Sequence, residues 1–245
     1  MKQSQLYALY DSDPESVVDF LEYVRASYGL PEAPAVCGPG RLLVPLSQLG
    51  WSVTGYEPDS DYAPAAREAL RDVPEAEFRQ GGFGDLEERA AYDLIAAVNG
   101  PYYYLLEPTA RRDALQRCAR ALRPGGVLFL DLSNFLWILK NYREPPSMRL
   151  SFDGTEVTRF AKHEFDYHLG IMTHEDRFVW TDTSGEERTA HKTHRMALVT
   201  FSEIAFFLED LGFWEMRTFN SYTDRESARL TGEKLMVTAR WGSSC

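Results

Sequence analysis

The stretch Ala35-Val36-Cys37-Gly38-Pro39-Gly40-Arg41-Leu42-Leu43 decides the fold. Ala35 to Cys37 reads as a very short strand, Gly38-Pro39-Gly40 as a turn, and Leu42, Leu43, Leu46 and Leu49 as the apolar stripe of a helix. Two glycines between a strand and a helix let backbone N–H groups and the positive end of the helix approach a ligand's negative group. Plain turns use the same pair, so its surroundings must carry the reading.

On the amino-terminal side, Asp13 reads as an N-cap and Pro14 as the first helical residue, followed by Val17, Phe20, Leu21 and Val24 at helical spacing. On the carboxyl side, Trp51 to Tyr56 is a predicted strand ending at Glu57-Pro58, and Ala63 to Arg71 a helix. Glu77 to Gln80 and Tyr92 to Val98 are further strands. The stripe Leu115, Cys118, Ala119, Leu122 marks a helix stopped by Pro124-Gly125-Gly126, and Val127 to Leu132 is a buried strand. Strands alternating with helices predict a parallel sheet with helices on both faces. Thr200 and Glu203 form a capping box for a helix bearing Ile204, Phe207, Leu208 and Leu211. After it, Phe213 to Phe219 and Lys234 to Ala239 follow as two strands without an intervening helix, an antiparallel edge pair.

Residues 145–199 are different in kind. About three strand-like runs are separated by turn signals at Tyr167 to Gly170 and Asp182 to Gly185, which predicts an antiparallel insertion. Its second run puts Met172, His174, Phe178 and Trp180 on one face with Asp176 between them, a pattern suited to covering a half-polar cavity.

Composition narrows the function classes. A chain of 245 residues, 44% hydrophobic and 26% charged, suits one domain over residues 1–245. A formal charge of -11 without a Lys/Arg cluster disfavours nucleic acid, and no apolar run of about 18 residues predicts a membrane span. Cys37, Cys118 and Cys245 are odd in number and far apart, which fits neither a disulfide framework nor a zinc site. The expectation is a cytoplasmic protein with a small-molecule partner and no metal.

A dinucleotide loop would need a third glycine where this chain has Leu43, which disfavours NAD. Glu57 stands about 17 to 20 residues beyond the loop, where a carboxylate accepts hydrogen bonds from ribose hydroxyls. Together with Val36 to Leu43, the segments Gly55-Tyr56-Glu57-Pro58, Tyr92-Asp93-Leu94-Ile95 and Leu122-Arg123-Pro124-Gly125-Gly126 resemble, in order and spacing, the motifs of class I S-adenosylmethionine (SAM)-dependent methyltransferases.

The resemblance implies an α/β, Rossmann-like, seven-stranded and mostly parallel sheet with helices on both faces and an antiparallel last strand. The antiparallel β insertion of residues 145–199 follows the fifth strand. SAM would lie across the carboxyl ends of the strands, and S-adenosylhomocysteine would be the product. The implied cofactor-binding residues are Cys37, Gly38, Gly40, Glu57, Pro58, Phe83 and Asn99, with Gly38 and Gly40 facing the methionine part, Glu57 the ribose and Phe83 the adenine. Tyr102, Tyr103 and Tyr10 are the substrate-binding candidates, Tyr10 in an amino-terminal lid within residues 1–30. Methyl transfer is an in-line displacement that positioning and exclusion of water largely serve, so a base is optional. All five histidines, His163, His168, His174, His191 and His194, fall in the insertion, and His163 or His174 is the candidate base.

The chain departs from the family pattern at Pro34 and Val36, where an acidic residue and a glycine are usual, and at Gly82, where an aspartate usually binds the adenine amino group; Asp85 is a displaced substitute. The expected function is methyl transfer from SAM to N or O of a small molecule, in a chain that by analogy forms a homodimer. The alternative is a non-catalytic module that keeps the fold and binds SAM, S-adenosylhomocysteine or a protein partner.

Overall fold

The computed structural model describes residues 13–31, 35–37, 42–58, 60, 63–71, 73, 76–152 and 154–242. In chain order the elements are α1 (Pro14–Tyr28), β1 (Ala35–Cys37), α2 (Leu43–Gln48), β2 (Val53–Glu57), α3 (Ala63–Ala69), β3 (Ala76–Gln80) and β4 (Tyr92–Ala97). Then come α4 (Pro108–Ala121), β5 (Leu122–Ser133), α5 (Phe135–Asn141), β6 (Met148–Phe152), β7 (Thr155–Asp166), β8 (Ile171–Thr181), β9 (Glu187–Ala197), α6 (Phe201–Asp210), β10 (Phe213–Phe219) and β11 (Lys234–Trp241). Asp13 caps α1, accepting from the backbone N–H groups of Glu15 and Ser16, and Thr200 caps α6 through the N–H of Glu203.

The central sheet has the order β1-β4-β5-β11-β10, with β1, β4 and β5 parallel and β11 antiparallel to both of its neighbours. Every residue of β4 is buried, as a strand covered on both faces must be. Ile95 and Ala97 pack with Leu128, Leu130 and Val237 under α4 and α6, through Leu115, Cys118, Ile204 and Leu208. Leu94 and Ala96 pack on the opposite side with Phe129 and Met236 under α1 and α2, through Phe20, Leu21, Val24, Leu43 and Leu46. The period of two along the strands thus assigns each helix pair its face.

Three details differ from the sequence expectation. The described strands form a five-stranded sheet and a separate β2-β3 ladder rather than one seven-stranded sheet, because the short β1 makes its described ladder with β4 alone. The insertion is a four-stranded antiparallel sheet, β6-β7-β8-β9; a tight turn with Gly154 at φ +73° splits what reads as one run into β6 and β7. The antiparallel pair β10–β11 stands at one end of the sheet as expected, with β10 outermost and β11 between it and β5. Helix α4 stops at Ala121, before the Pro-Gly-Gly turn, and that turn lies within β5 as a bulge, the pairing jumping from Tyr92↔Leu122 to Leu94↔Val127. Leu43 is fully buried, and a Cβ on Gly55 would meet its side chain at 2.5 Å. Leu43 fills the helix–strand gap that a dinucleotide fold leaves to a glycine, and the glycine sits on the strand instead.

Phe20 ties α1 to the sheet, its ring 5.2 Å from both Phe129 and Phe219 and 5.8 Å from Tyr222. We expect Phe20→Ala to cost about 3–5 kcal/mol of stability, read as a lowered urea midpoint at an unchanged slope. A shift below about 1 kcal/mol would contradict this packing.

Candidate functional site at the carboxyl ends of the strands

Strands β1, β4 and β5 are parallel, so their carboxyl ends and the segments that leave them gather along one edge. Glu57, half-buried, ends β2, and its carbonyl accepts the N–H of Gly81 at 3.0 Å, which draws the post-β3 turn beside it. Gly82 follows, and a Cβ there would lie 3.9 Å from Pro58. The Asp85 carboxylate accepts the Gly82 N–H at 2.8 Å. Asp85 therefore braces this turn, its side chain 2.9 Å from where a Cβ on Gly81 would stand. Gly38, Gly40, Pro34 and Tyr10 lie outside the described residues, and only the backbone of Val36 and Cys37 is described, at the end of β1.

The turn after β4 is held by Asp131 of β5, whose carboxylate is buried. Asp131 Oδ2 accepts the N–H of Asn99 at 3.0 Å and the hydroxyl of Tyr222, its Oδ1 pairs with Lys234 Nζ at 2.8 Å, and its backbone carbonyl accepts the N–H of Gly100 at 2.9 Å. Asn99 has φ +61° and Gly100 φ +70°, so the chain reverses sharply here into the one-turn helix Pro101–Tyr104. At Gly100 a side chain is excluded, since its Cβ would fall within the Tyr103 ring. None of Asp131, Tyr222 and Lys234 carries a sequence motif; their convergence comes from β11 pairing with β5.

The three tyrosines of this turn part company. Tyr102 is fully buried, edge-on to Phe83 at 6.3 Å, with a hydroxyl that has no hydrogen-bond partner among the described residues. Burial pushes its hydroxyl pKa far up. This corrects the expectation for Tyr102 as a substrate contact, because helical spacing turns it under the sheet; Phe83 likewise presents its ring to the core. Tyr103 packs on Phe135, with rings 5.8 Å apart. Tyr104 is 46% exposed and points toward the insertion.

There the hairpin register lines up three histidines on neighbouring strands. His163 of β7 lies opposite His174 of β8, and His174 opposite His194 of β9. The Tyr104 hydroxyl is 3.2 Å from His194 Nδ1, and His163 Nε2 is 3.3 Å from His174 Nδ1. His174 Nε2 is 3.0 Å from Asp176 Oδ1, a buried carboxylate that also accepts from Arg159 Nε at 2.7 Å. Both nitrogens of His174 are thus occupied. The remaining nitrogen of His163, Nδ1, is buried without a partner among the described residues, and Tyr142 and Phe165 cover the ring. Neither expected base offers a nitrogen to the Tyr104 turn, whereas His194 does. Its signal is present in the sequence: the turns at Tyr167–Gly170 and Asp182–Gly185 set the register that aligns it.

Burial, then the neighbouring His174 and Arg159, lowers His163 to a pKa of about 4; burial, then Lys192 and His174, lowers His194 to about 4. Burial raises the Tyr104 hydroxyl to about 12. Near pH 7 His163 and His194 are neutral. A cleft of about 970 Å³ opens beyond Asn134, with Trp137, Lys140, Phe201 and Arg229 in its wall, but its lining holds neither a carboxylate nor an imidazole. Among the described residues no group of three or more His, Cys, Asp or Glu side chains could hold a metal ion, and no helix is long and apolar enough to cross a membrane.

Comparison with known proteins bears on the same residues. Residues 35–126 match the methyltransferase domain family. A ubiquinone biosynthesis O-methyltransferase from Xanthomonas campestris is 28% identical over 171 residues, 67% of this chain and 66% of that protein. The chain thus spans just under two thirds of that relative's length. Among solved structures, a SAM-dependent methyltransferase from Clostridium acetobutylicum superposes with a TM-score of 0.77 at 14% identity over 95% of this chain and 94% of its own. A sugar N-methyltransferase from Streptoalloteichus gives 0.77 at 17% identity over 99% and 94%. Likeness at such low identity establishes the fold.

Two outcomes follow from this geometry. Asp131→Ala leaves Lys234, the Tyr222 hydroxyl and the Asn99 N–H without their acceptor, and should destabilise the protein by about 2–3 kcal/mol in urea unfolding; an unchanged midpoint would show that the carboxylate is not the anchor. In the unfolded chain His163 and His194 titrate near the ordinary value of 6.5, above their folded values of about 4. The unfolded state therefore takes up protons first, so stability is full above about pH 6.5 and declines as pH falls toward about 4. Denaturant midpoints measured across that range should show this decline, and it should flatten in the His163→Gln, His194→Gln double variant.

Proposed function

Because residues 35–126 belong to the methyltransferase domain family and the chain has the class I SAM methyltransferase fold, we propose that this protein is an enzyme that transfers a methyl group from SAM to nitrogen or oxygen of a small molecule. The observations that carry the reading are two turns at carboxyl ends of parallel strands: the Gly81–Gly82 turn held to Glu57 on the β2–β3 ladder, and the Asn99–Gly100 turn held to Asp131 after β4. Bound SAM supplies an electrophilic methyl group on a sulfonium.

The chain's own residues bind, orient and exclude water. Glu57, with Pro58 and Gly82 beside it, would accept hydrogen bonds from the ribose hydroxyls, and Asn99 would line the site. Cys37, Gly38 and Gly40 take the methionine part by their place after β1. The Tyr103 and Tyr104 rings stand where a positively charged sulfonium gains from aromatic faces. We read residues 1–245 as one domain, with the four-stranded insertion as the roof of the acceptor pocket and the segment before α1, including Tyr10, as a lid. The small-molecule O- and N-methyltransferases among the similar proteins support an acceptor of that size. The net charge of -11 supports a partner other than nucleic acid. The antiparallel insertion supports a homodimer only by analogy, and light scattering would test it.

Titration calorimetry tests the cofactor reading. SAM and S-adenosylhomocysteine should both bind. Glu57→Ala should weaken SAM by about 1–3 kcal/mol, roughly tenfold or more, because the ribose hydroxyls lose a charged acceptor. Absence of heat at millimolar SAM would overturn the proposal, and tight binding without transfer to any amine or hydroxyl acceptor would leave a binding module in its place.

A further inference from the structure

Tyr104 is the member of the post-β4 turn that reaches across to the insertion, and it meets there the one histidine of the row whose ring faces the turn. Its hydroxyl lies 3.2 Å from His194 Nδ1, with ring centroids 5.6 Å apart. Behind His194, the His174 ring stands edge-on at 6.1 Å, and His174 is fastened to the buried Asp176, itself paired with Arg159. Tyr104 is half exposed while Tyr103 and Phe135 form an aromatic wall beside it. Resting on the methyltransferase reading above, we propose that Tyr104 and His194 form the proton-accepting pair of the site, and that the methyl acceptor is an aromatic hydroxyl lying against the Tyr103–Tyr104 wall.

The chemistry balances as follows. The acceptor oxygen attacks the methyl carbon, an O–CH3 bond forms, and the S–CH3 bond breaks with its electron pair returning to sulfur. The hydroxyl proton passes to the Tyr104 oxygen while Tyr104 gives its own proton to His194 Nδ1. The resulting imidazolium releases one proton to solvent through its half-exposed edge, so one proton is liberated per transfer. Tyr104 would be the catalytic residue that touches the acceptor, and His194 the positioning residue that acts through it.

The class of acceptor follows from a proton-accepting pair that stands beside an aromatic wall. The groups that face His194 are Tyr104 on the turn, His174 and Asp176 on β8, Arg159 on β7 and Lys192 on its own strand. Burial and the cations among them outweigh Asp176 and hold the imidazole at a pKa of about 4. An amine attacks as its free base and can shed its proton to solvent after transfer, so it gains little from such a pair. A hydroxyl oxygen that is becoming methylated is a far stronger acid, and a weak neutral imidazole suffices for it. The flat aromatic wall suits a ring on the acceptor, since offset and edge-on ring contacts add to simple burial.

The test uses the full-length protein with SAM and four acceptors: catechol, 3,4-dihydroxybenzoate, glucosamine and ethanolamine. Variants are His194→Asn, which keeps a polar atom near the Nδ1 position but cannot accept the proton, Tyr104→Phe, and His191→Asn as a control on the opposite face of β9. We expect the two phenols to be methylated and the two amines not. His194→Asn and Tyr104→Phe should lower kcat on the order of a hundredfold with SAM affinity within about twofold of wild type. Wild-type and His191→Asn rates should fall as pH drops below about 5, and that limb should be absent in His194→Asn. Wild-type kcat and an unchanged acid limb in His194→Asn would overturn the pair. Transfer to the amines alone, or SAM binding with no transfer to either phenol, would overturn the acceptor class. Failure to bind SAM at all would instead overturn the methyltransferase reading, so the outcomes are separable by calorimetry.

Discussion

Asp131 holds the carboxyl edge of the sheet together. Its carboxylate is buried at the end of β5 and meets a cation, a phenol and a backbone N–H contributed by Lys234, Tyr222 and Asn99, while its carbonyl takes the N–H of Gly100. A buried carboxylate is costly unless its oxygens are satisfied, and here they are satisfied by groups from three separate segments. That requirement couples the antiparallel β11 to the reversal after β4. The reversal in turn decides where Tyr102, Tyr103 and Tyr104 point.

From that reversal the rest of the candidate site takes its shape. Tyr102 enters the core against Phe83, and Arg111 braces the exit of the turn, donating to the carbonyls of Leu105 and Leu106 and pairing with Glu203 of α6. Tyr104 is left to meet β9. The insertion would otherwise be a half-exposed antiparallel sheet. Its inner face concentrates Met172, His174, Asp176 and Phe178 at two-residue spacing, and Met172 and Met196 pack with Phe135. Packing of Phe135 against these methionines brings the histidine row over the post-β4 turn. His163 and His194 are neutral near pH 7 because burial opposes their charge, which suits a proton acceptor and would ill suit an anion-binding patch.

Much of the fold was legible because local periodicity and burial agree. The α1 cap at Asp13, the α6 cap at Thr200 and the unbroken apolar β4 each rest on neighbours in sequence. Reading failed where two segments compete for the same pairing. Helical spacing runs on to Leu122, yet Leu122 pairs with Tyr92 and belongs to β5. The Met148–Asp166 run reads as one strand until Gly154 turns it. Among the candidates, the positions of Glu57 at the end of β2 and Asn99 after β4 were legible from sequence, whereas which of the three tyrosines enters the core was not, because they differ only in direction. His194 was legible in principle, since two hairpin turns set its register, but which of three aligned imidazoles meets Tyr104 depends on how the insertion packs.

The sequence by itself determined the alternation of strands and helices, the order of motifs from Val36 to Gly126, and the confinement of every histidine to the insertion, because these depend on residue type and spacing alone. Only the tertiary structure decided that Leu43 fills the gap opposite Gly55, that Asp131 collects Lys234 and Tyr222, and that Tyr104 rather than Tyr102 faces His194. Each of these joins residues distant in the chain. Their contacts are set by strand order, by hairpin register and by the need to satisfy a buried charge, none of which is expressed in any short stretch of sequence.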